Sequence, residues 1–222
     1  MRFAINGFGR VGRSLLRVYR AREDARAVLE LAAINEIADA DTVVHLARYD
    51  SNYGRYPGLI ARSGDLLAID QSLVPLSHVR DVAELPWREL NIDLVFECTG
   101  AFSDRTTAEG HLDAGANRVL FSQPAESDVD ATIVFGVNAG ELASDMRVVS
   151  AASCTTNAVV PVLDTLSRAF GIEAATITTI HSLMNDQPVL DAYHHTDLRK
   201  TRAASQSIIP VDTGLAVGIE RI

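Results

Sequence analysis

The sequence predicts an α/β protein, with a doubly wound parallel sheet over residues 1–150 and a second domain of mixed helix and strand over residues 151–222. Three observations predict this architecture. Short apolar runs alternate with segments of helical spacing up to residue 150, which is typical of parallel strands joined by right-handed helical crossovers. A glycine-rich turn separates the first apolar run from the first helical segment. After Cys154 the alternation stops, and a helix is followed by a long β-rich run.

Each element follows from its own pattern. Short apolar runs predict buried strands at residues 2–6, 29–35, 93–98, 118–122, 131–136 and 146–150. Apolar residues at helical spacing predict helices at residues 11–19, 39–51 and 104–114, the last two opening on an aspartate that can cap them. Alternating pieces broken by Gly64, Asp65 and Asp70 predict small antiparallel strands between residues 59 and 77. In the second domain a helix follows Cys154, and residues 172–182 are predicted to form a long strand that carries His181 near its end.

Composition and charge exclude several classes of partner. The 222 residues are 47% hydrophobic and carry a net charge of −9, which disfavours nucleic acid and anionic membranes. No apolar segment is long enough for a signal peptide or a membrane span, and two cysteines do not make a disulfide framework. A cytoplasmic location is therefore expected. The histidines show no metal-ligand spacing, so no metal site is expected.

Gly7, Gly9 and Gly12 form a GxGxxG motif between the first predicted strand and the first predicted helix. Glycines at this spacing allow a tight turn and let the backbone approach a pyrophosphate, to which the helix N-terminus donates N–H groups. Glu36, at the end of the second strand, can accept hydrogen bonds from ribose hydroxyls and would repel a 2′-phosphate. The combination predicts a Rossmann-type domain that binds NAD in preference to NADP. The alternative is a glycine turn with a structural role only.

Thr99 and Gly100 follow the strand of residues 93–98, at the sheet edge where open α/β proteins bind their ligands. They are candidate cofactor-binding residues, although a plain strand-to-helix turn capped by Asp104 would explain the same segment. Cys98 closes the apolar strand, and we expect it to be buried in the core.

Cys154 stands between small polar residues at the mouth of the next predicted helix. Unpaired N–H groups and the positive end of the helix dipole favour the thiolate, which is the nucleophilic form. His181, at the end of the following β-rich run, is a candidate base or imidazolium partner. The alternative is a buried cysteine at a domain junction.

Arg199, Lys200 and Arg202 gather in one segment of an otherwise acidic protein. Such a cluster would suit a phosphate-bearing substrate. A solvated loop is the alternative for this run.

Seven motifs occur along the chain in an order that characterises one family: INGFGRVGR, YDSNYG, ECTG, SAASCTTN, NDQ, DLRKTRAA and SIIPVDTG. Together they resemble the phosphorylating glyceraldehyde-3-phosphate dehydrogenase family, and the resemblance covers the whole chain. Within that family, TTIHSLMNDQPVLDAYH and RAASQSIIPVDT most resemble the erythrose-4-phosphate dehydrogenase branch.

The resemblance implies a role for each matching residue. Cys154 would be the nucleophile and His181 its base, while Arg10 and Val11 would lie at the cofactor pyrophosphate and Glu36 at the ribose. The remaining implied positions are Arg80 and Ser122 in the cofactor site, and Ser153, Thr155, Lys200, Thr213 and Gly214 at the substrate or the attacking phosphate.

The implied reaction is NAD-dependent oxidation of a phosphorylated aldose through a cysteine thioester. The first expectation is that the substrate is D-erythrose 4-phosphate and that water releases the product as 4-phosphoerythronate. The resemblance also implies a role in pyridoxal phosphate biosynthesis and a homotetramer. The first alternative is glyceraldehyde 3-phosphate with inorganic phosphate as the acyl acceptor. The second is a non-catalytic NAD-binding module.

The chain departs from the family pattern at three points. Lys200 stands where the family usually has an arginine, and Met184 stands where it usually has a threonine. Family members also continue well beyond the position of residue 222, so that residues 151–222 are expected to be the start of a truncated α+β catalytic domain. On that interpretation, we expect the 222-residue chain by itself to bind NAD weakly and to turn over little substrate.

Overall fold

The computed structural model describes residues 1–184, 187–194 and 196–222. Asn185 and Asp186 of the NDQ motif, and His195 in the basic segment, lie outside the described residues. The strands are β1 (Arg2–Asn6), β2 (Glu30–Asn35), β3 (Tyr49–Asp50), β4 (Gly54–Arg55), β5 (Ile60–Ser63), β6 (Leu66–Ile69), β7 (Ser72–Ser77), β8 (Leu94–Glu97), β9 (Arg118–Phe121), β10 (Ala131–Thr132) and β11 (Val148–Ser150). The α-helices are α1 (Arg10–Ala21), α2 (Glu23–Val28), α3 (Ala40–Arg48), α4 (Arg105–Asp113), α5 (Cys154–Phe170) and α6 (Leu215–Glu220).

Nine of the strands form one sheet in the order β10-β11-β9-β8-β1-β2-β7-β6-β5. The chain starts in the middle at β1, adds β2 and β7 on one side, and then crosses to β8 and adds the remaining strands on the other side. All pairs are parallel except β5 with β6 and β6 with β7, which confirms both the doubly wound sheet and the small antiparallel strands. The strand order reverses beside β1, and ligands bind at this point of open α/β sheets.

The central strand β1 separates two different packing layers. Phe3 and Ile5 face α1, where Tyr19 meets the Phe3 ring edge-on at 5.0 Å between centroids. Ala4 points to the opposite layer and packs in one cluster with the fully buried Trp87. Because side chains alternate across a strand, the small residue leaves room for the indole on one side while the large ones fill the other.

The predicted helices of the first part of the chain are confirmed, together with the capping aspartates of two of them. The Asp39 carboxylate accepts a hydrogen bond from Thr42 N at 2.9 Å at the start of α3, and the Asp104 carboxylate accepts one from Thr107 N at 2.8 Å at the start of α4. Each cap satisfies one N–H that the helix itself leaves unpaired. No helix in the described part of the chain is long and apolar enough to cross a bilayer.

Two strand predictions need correction. Residues 131–136 form a strand only at Ala131–Thr132. Residues 172–182 form no strand, and Ile180 in that segment is 90% exposed. The β-branched residues of that segment are suited to a sheet surface. A strand, however, also needs a partner strand for its backbone hydrogen bonds, and none of the described strands pairs with this segment.

Candidate functional site

The glycine turn after β1 is shaped by two close backbone contacts. Gly7 has φ +87°, and a Cβ added there would lie 2.5 Å from the backbone N of Thr99. A Cβ added at Gly12 would lie 2.3 Å from the carbonyl oxygen of Gly7, so this glycine lets α1 pack directly on the turn. Gly9 has no atom within 4 Å of an added Cβ and faces open space. The three glycines thus provide the turn, the close helix packing and an unobstructed approach to the backbone.

A cavity of about 310 Å³ lies over this turn. It opens at the carboxyl ends of β1, β2 and β8, beside the point where the strand order reverses. Five predicted cofactor residues line it: Gly7, Gly9, Glu36, Arg80 and Thr99. The sheet edge therefore brings together residues that are spread over more than ninety positions of the chain.

The N-terminus of α1 is built to receive an anion. Gly9 is the N-cap residue and supplies no side-chain capping bond, and the first turn contains no acidic residue. The first N–H groups of the helix, at Arg10, Val11 and Gly12, have no intrahelical acceptor. Arg10 and Val11 are exposed at this end, while Gly12 is buried against the turn. A pyrophosphate over Gly9 would meet these N–H groups and also the positive end of the helix dipole.

Glu36 reaches back over the glycine turn from the end of β2. One carboxylate oxygen accepts from Phe8 N at 2.7 Å, and the other accepts from Ala38 N at 3.1 Å. The carboxylate is thereby held in place on the cavity wall, and each oxygen keeps a lone pair for a further donor. Glu36 can therefore serve the turn and a ribose hydroxyl at once.

Two predicted cofactor residues lie next to the cavity wall rather than in it. Gly100, with φ +72°, forms the turn after Thr99. Ser122 follows β9, and its hydroxyl donates to the Gln123 side-chain oxygen at 2.9 Å. The positions of Gly100 and Ser122 do not show a contact with the cofactor, so their assignment to the cofactor site stays a prediction.

Cys154 is the first residue of α5, and the chain is turned sharply to place it there. Ser153 caps the helix by accepting from Thr156 N at 2.9 Å. Ala152 adopts φ +60°, a left-handed conformation that is unfavourable for alanine. Such residues are held by their surroundings and cluster at functional sites. The Asn157 amide ties the turn down by donating to the carbonyl oxygens of Ala151 and Ser153.

The Cys154 thiol lies against the His181 imidazole, with Sγ 3.2 Å from Nε2. His181 Nδ1 lies 2.7 Å from the Ser182 carbonyl oxygen, which can only accept, so that Nδ1 carries a proton and Nε2 faces the sulfur. The bond to Ser182 raises the pKa of His181, and the contact with Cys154 raises it further. A thiol in this position can give its proton to the imidazole and act as a nucleophile.

The hydroxyl groups predicted at the substrate lie beside the cysteine. Ser153, Thr155, Thr213 and Gly214 line a cavity of about 250 Å³. Thr155 and Thr213 also line the neighbouring cavity of Cys154 and His181, so these two residues border both spaces. Lys200 lines neither cavity and lies on the short helix Leu198–Thr201.

The basic segment is bound to acidic side chains. Arg199 pairs with Asp197 at 2.9 Å and with Asp212 at 2.8 Å. Arg202 pairs with Asp191 at 2.7 Å. The segment therefore does not present a bare cluster of positive charge, and the solvated-loop interpretation fits its two arginines.

The cavity over the glycine turn and Cys154 lie at the same edge of the sheet. α5 follows β11, which stands three strands from β1 in the order β11-β9-β8-β1. Three spacings of about 4.8 Å place the two sites roughly 14 Å apart. An extended dinucleotide lying along the edge can span that distance.

One group of residues was not predicted from the sequence. Glu97, at the end of β8, and His111, in α4, are both fully buried and lie 3.1 Å apart beneath the cofactor cavity. The signal in the sequence was a carboxylate at the end of an otherwise apolar strand. His111 gives no such signal, because the histidines show no metal-ligand spacing.

The two cysteines should differ sharply in reactivity. Burial raises the pKa of the Cys98 thiol to about 12, whereas Cys154 is exposed at the helix mouth. In brief iodoacetamide labelling of the folded protein, we expect Cys154 to react at least about 100-fold faster than Cys98, because only the thiolate reacts. Peptide mapping measures the ratio, and labelling in denaturant is the control in which the two rates should converge. Predominant label on Cys98 in the folded protein would contradict the assignment.

Two family models match the chain. The one described as glyceraldehyde 3-phosphate dehydrogenase, NAD binding domain, matches residues 1–105. The one described as glyceraldehyde 3-phosphate dehydrogenase, C-terminal domain, matches residues 153–222. The first match contains the glycine turn, Glu36 and Thr99, and the second begins at the residue before Cys154. The chain therefore belongs to the glyceraldehyde-3-phosphate dehydrogenase family, the NAD-dependent dehydrogenases of phosphorylated aldehydes, and its cofactor is NAD.

Proposed function

We propose that the protein oxidises D-erythrose 4-phosphate to 4-phosphoerythronate through a thioester on Cys154. The observation that carries the proposal is the Sγ to Nε2 distance of 3.2 Å between Cys154 and His181, at a helix N-terminus on the edge of the sheet that holds the cofactor cavity. A nucleophile, a base and a hydride acceptor would then meet at one place.

The proposed reaction begins at the thiol. Cys154 gives its proton to His181, and the sulfur adds to the aldehyde carbon, forming a C–S bond. The backbone N–H of Cys154 and the protonated His181 stabilise the oxygen anion, each well-placed donor contributing about 3 kcal/mol. NAD, when bound, accepts the hydride that leaves this carbon. As the hydride leaves, the oxygen anion re-forms its double bond to carbon and the thioester remains. His181 then loses its proton to solvent and takes one from the attacking water, whose oxygen bonds to the thioester carbon. The C–S bond breaks, the sulfur leaves as the thiolate, and the acid is released as its carboxylate with loss of the second proton to solvent.

The cavity that contains Ser153, Thr155 and Thr213 supports a phosphorylated substrate. Hydroxyl groups, the N-terminus of a 17-residue helix and Arg221 face the same space. The hydroxyl groups and Arg221 can donate hydrogen bonds to phosphate oxygens. The helix N-terminus and Arg221 also attract their negative charge. The 4-phosphate of the sugar, or a free phosphate, would fit this chemistry.

The choice of substrate rests on the branch resemblance and on Met184. Met184 lines the Cys154 cavity, where it offers no hydroxyl to an attacking phosphate, and this favours water over inorganic phosphate as the acyl acceptor. Lys200, the second departure from the family pattern, lines neither cavity, so its weaker anion binding is an expectation from the sequence alone. Oxidation of glyceraldehyde 3-phosphate with inorganic phosphate is the alternative.

NADH formation separates the candidates. The full-length protein is given NAD with D-erythrose 4-phosphate or glyceraldehyde 3-phosphate, each with and without inorganic phosphate. We expect higher kcat/KM on erythrose 4-phosphate and no requirement for phosphate. Preference for glyceraldehyde 3-phosphate with an absolute need for phosphate would establish the alternative. NAD binding without turnover of either sugar would indicate a non-catalytic module.

The division at residue 150, the cytoplasmic location, the homotetramer and a place in pyridoxal phosphate biosynthesis belong to the same proposal. The division is supported by the end of β11 at Ser150 and the start of α5 at Cys154. The cytoplasmic location rests on the two cysteines of the chain, the homotetramer on the resemblance to the family, and pyridoxal phosphate biosynthesis on the resemblance to the erythrose-4-phosphate branch. Sedimentation of the full-length protein tests the tetramer.

Glu36→Ala should weaken NAD binding about tenfold and narrow the preference for NAD over NADP. The change removes the ribose acceptor and the charge that repels a 2′-phosphate. It also releases Phe8 N and Ala38 N. Calorimetric titration of both cofactors measures the change. Glu30→Ala, at the opposite end of the same strand, removes an equal charge and should leave both affinities unaltered. Wild-type protein that binds NADP as tightly as NAD would contradict this account.

A further inference from the structure

A chain of buried polar side chains runs beneath the cofactor cavity and is not used by the proposed reaction. Glu97 is at its centre, with no exposed surface. Its Oε2 accepts from Asn6 Nδ2 at 2.6 Å and faces His111 Nε2 at 3.1 Å. Its Oε1 accepts from Thr99 N at 2.8 Å and from the Thr99 hydroxyl. The carboxylate thus has four donors around its two oxygens.

The far end of the chain fixes the proton on the histidine. Trp87 Nε1 is a donor only, and it lies 2.9 Å from His111 Nδ1. Nδ1 must therefore accept, so Nε2 carries the proton and donates to Glu97. All four groups around the carboxylate are donors, which is the arrangement that an ionised carboxylate requires.

The near end of the chain forms the wall of the cavity. Thr99 and Asn6 both line it, and both are bonded to Glu97. Thr99 N also lies so close to Gly7 that no residue with a Cβ fits at that position. On the other side, Asn6 accepts from Asn35 Nδ2 at 2.8 Å, and Asn35 is itself part of the wall. The ends of β1, β2 and β8 are therefore joined through one carboxylate.

We propose that Glu97 is a positioning residue for NAD: its buried carboxylate fixes Thr99 and Asn6 so that the glycine turn and the end of β8 form the cofactor cavity. Glu97 cannot touch the cofactor, because it has no exposed surface. A buried carboxylate costs free energy unless every lone pair is satisfied, and an apolar residue would fill a strand end at lower cost. A role in holding the wall of the cofactor cavity would account for a buried carboxylate at position 97. The proposal depends on NAD binding alone and is independent of the substrate.

Glu97→Gln is the sharpest perturbation, because it changes one atom of the side chain. In one amide orientation the new NH₂ faces two donors, Asn6 Nδ2 and His111 Nε2. In the other it faces Thr99 N. Either way a donor of the wall, on Asn6 or on Thr99, loses its acceptor, and the wall must shift. We expect NAD affinity to fall about tenfold, the effect of one donor left without its acceptor.

The experiment compares the NAD affinity of the position 97 variant with that of a control variant that also loses stability. Val119→Ala is the control, since Val119 is buried in the neighbouring strand β9 and does not line the cofactor cavity. Calorimetric titration of NAD and thermal melting are run on the wild-type full-length protein and both variants, and Cys154 labelling reports on the rest of the fold. Glu97→Asp keeps the charge but sets the carboxylate back by one methylene. It should bind NAD about fivefold more weakly, and it replaces Glu97→Gln if that variant does not fold.

Loss of NAD affinity in the position 97 variant, with wild-type affinity in Val119→Ala and unchanged Cys154 labelling, would support the proposal. Equal NAD affinity in the position 97 variant and Val119→Ala would overturn it and leave Glu97 with a role in stability alone. Because the readout is binding, the result stands whatever substrate the protein oxidises.

Discussion

Cys154→Ser should lower aldehyde oxidation at least about 1000-fold and leave NAD binding unchanged. A serine hydroxyl is a much weaker nucleophile than a thiolate, and the oxidised intermediate is proposed to form on this atom. Cys154 lies on α5, three strands from the glycine turn, so its side chain has no part in the cavity over Gly7. Steady-state NADH formation and calorimetric NAD titration measure the two effects separately.

Cys98→Ser is the matched control for this change. Cys98 lines the cofactor cavity and is 7% exposed, and it has no contact with His181 that would make it a nucleophile. The control should retain most of the turnover, with an altered KM for NAD as its main effect. Substantial turnover by Cys154→Ser, or complete loss in Cys98→Ser with intact NAD binding, would contradict the assignment of the nucleophile.

Gly7→Ala should weaken NAD binding at least about 100-fold, since alanine at this φ costs about 1–3 kcal/mol and each 1.4 kcal/mol lost from binding is about a factor of ten. The new methyl group would lie 2.5 Å from Thr99 N, and the φ of +87° is unfavourable for alanine. Backbone atoms are on the other side of the clash, so a side-chain rotation cannot relieve it. The ends of β1 and β8 must separate, and the cavity between them must change shape. Affinity and melting temperature should fall together.

Gly9→Ala distinguishes a ligand effect from a folding effect. An added Cβ at Gly9 meets no atom within 4 Å, so this variant should fold as the wild type does. The methyl group would stand where the pyrophosphate is expected to approach, and NAD should bind more weakly. Gly140→Ala, which is equally open and lies outside the cavity, should change neither property. Wild-type NAD affinity in Gly7→Ala would contradict the role of the turn.

Local signals predicted most of the first part of the fold. Apolar runs located the parallel strands, and the aspartates at positions 39 and 104 located two helix starts because a cap acts within one turn. The glycine motif and Glu36 predicted the cofactor cavity because turn, helix and acid are neighbours in a fixed supersecondary unit. These features need no knowledge of distant contacts.

The features that were missed depend on distant contacts. The strand predicted at residues 172–182 would need a partner strand, and alternation alone does not supply one. Glu97 and His111 are fourteen positions apart on a strand and a helix, and Trp87 lies on a third segment, so that no spacing rule links them. The cavity at Thr213 was expected from resemblance alone, because it joins residues about sixty positions apart.

The thioester on Cys154 is the central claim, and its direct test is the mass of the enzyme during turnover. The full-length protein is mixed with NAD and D-erythrose 4-phosphate, quenched in acid within the first turnover, and digested for peptide mapping. We predict an acyl adduct on the peptide that carries Cys154, dependent on NAD, and formed more slowly in His181→Asn, which lacks the base that takes the thiol proton. NADH formation with no adduct on Cys154, or with the adduct on another residue, would contradict the account.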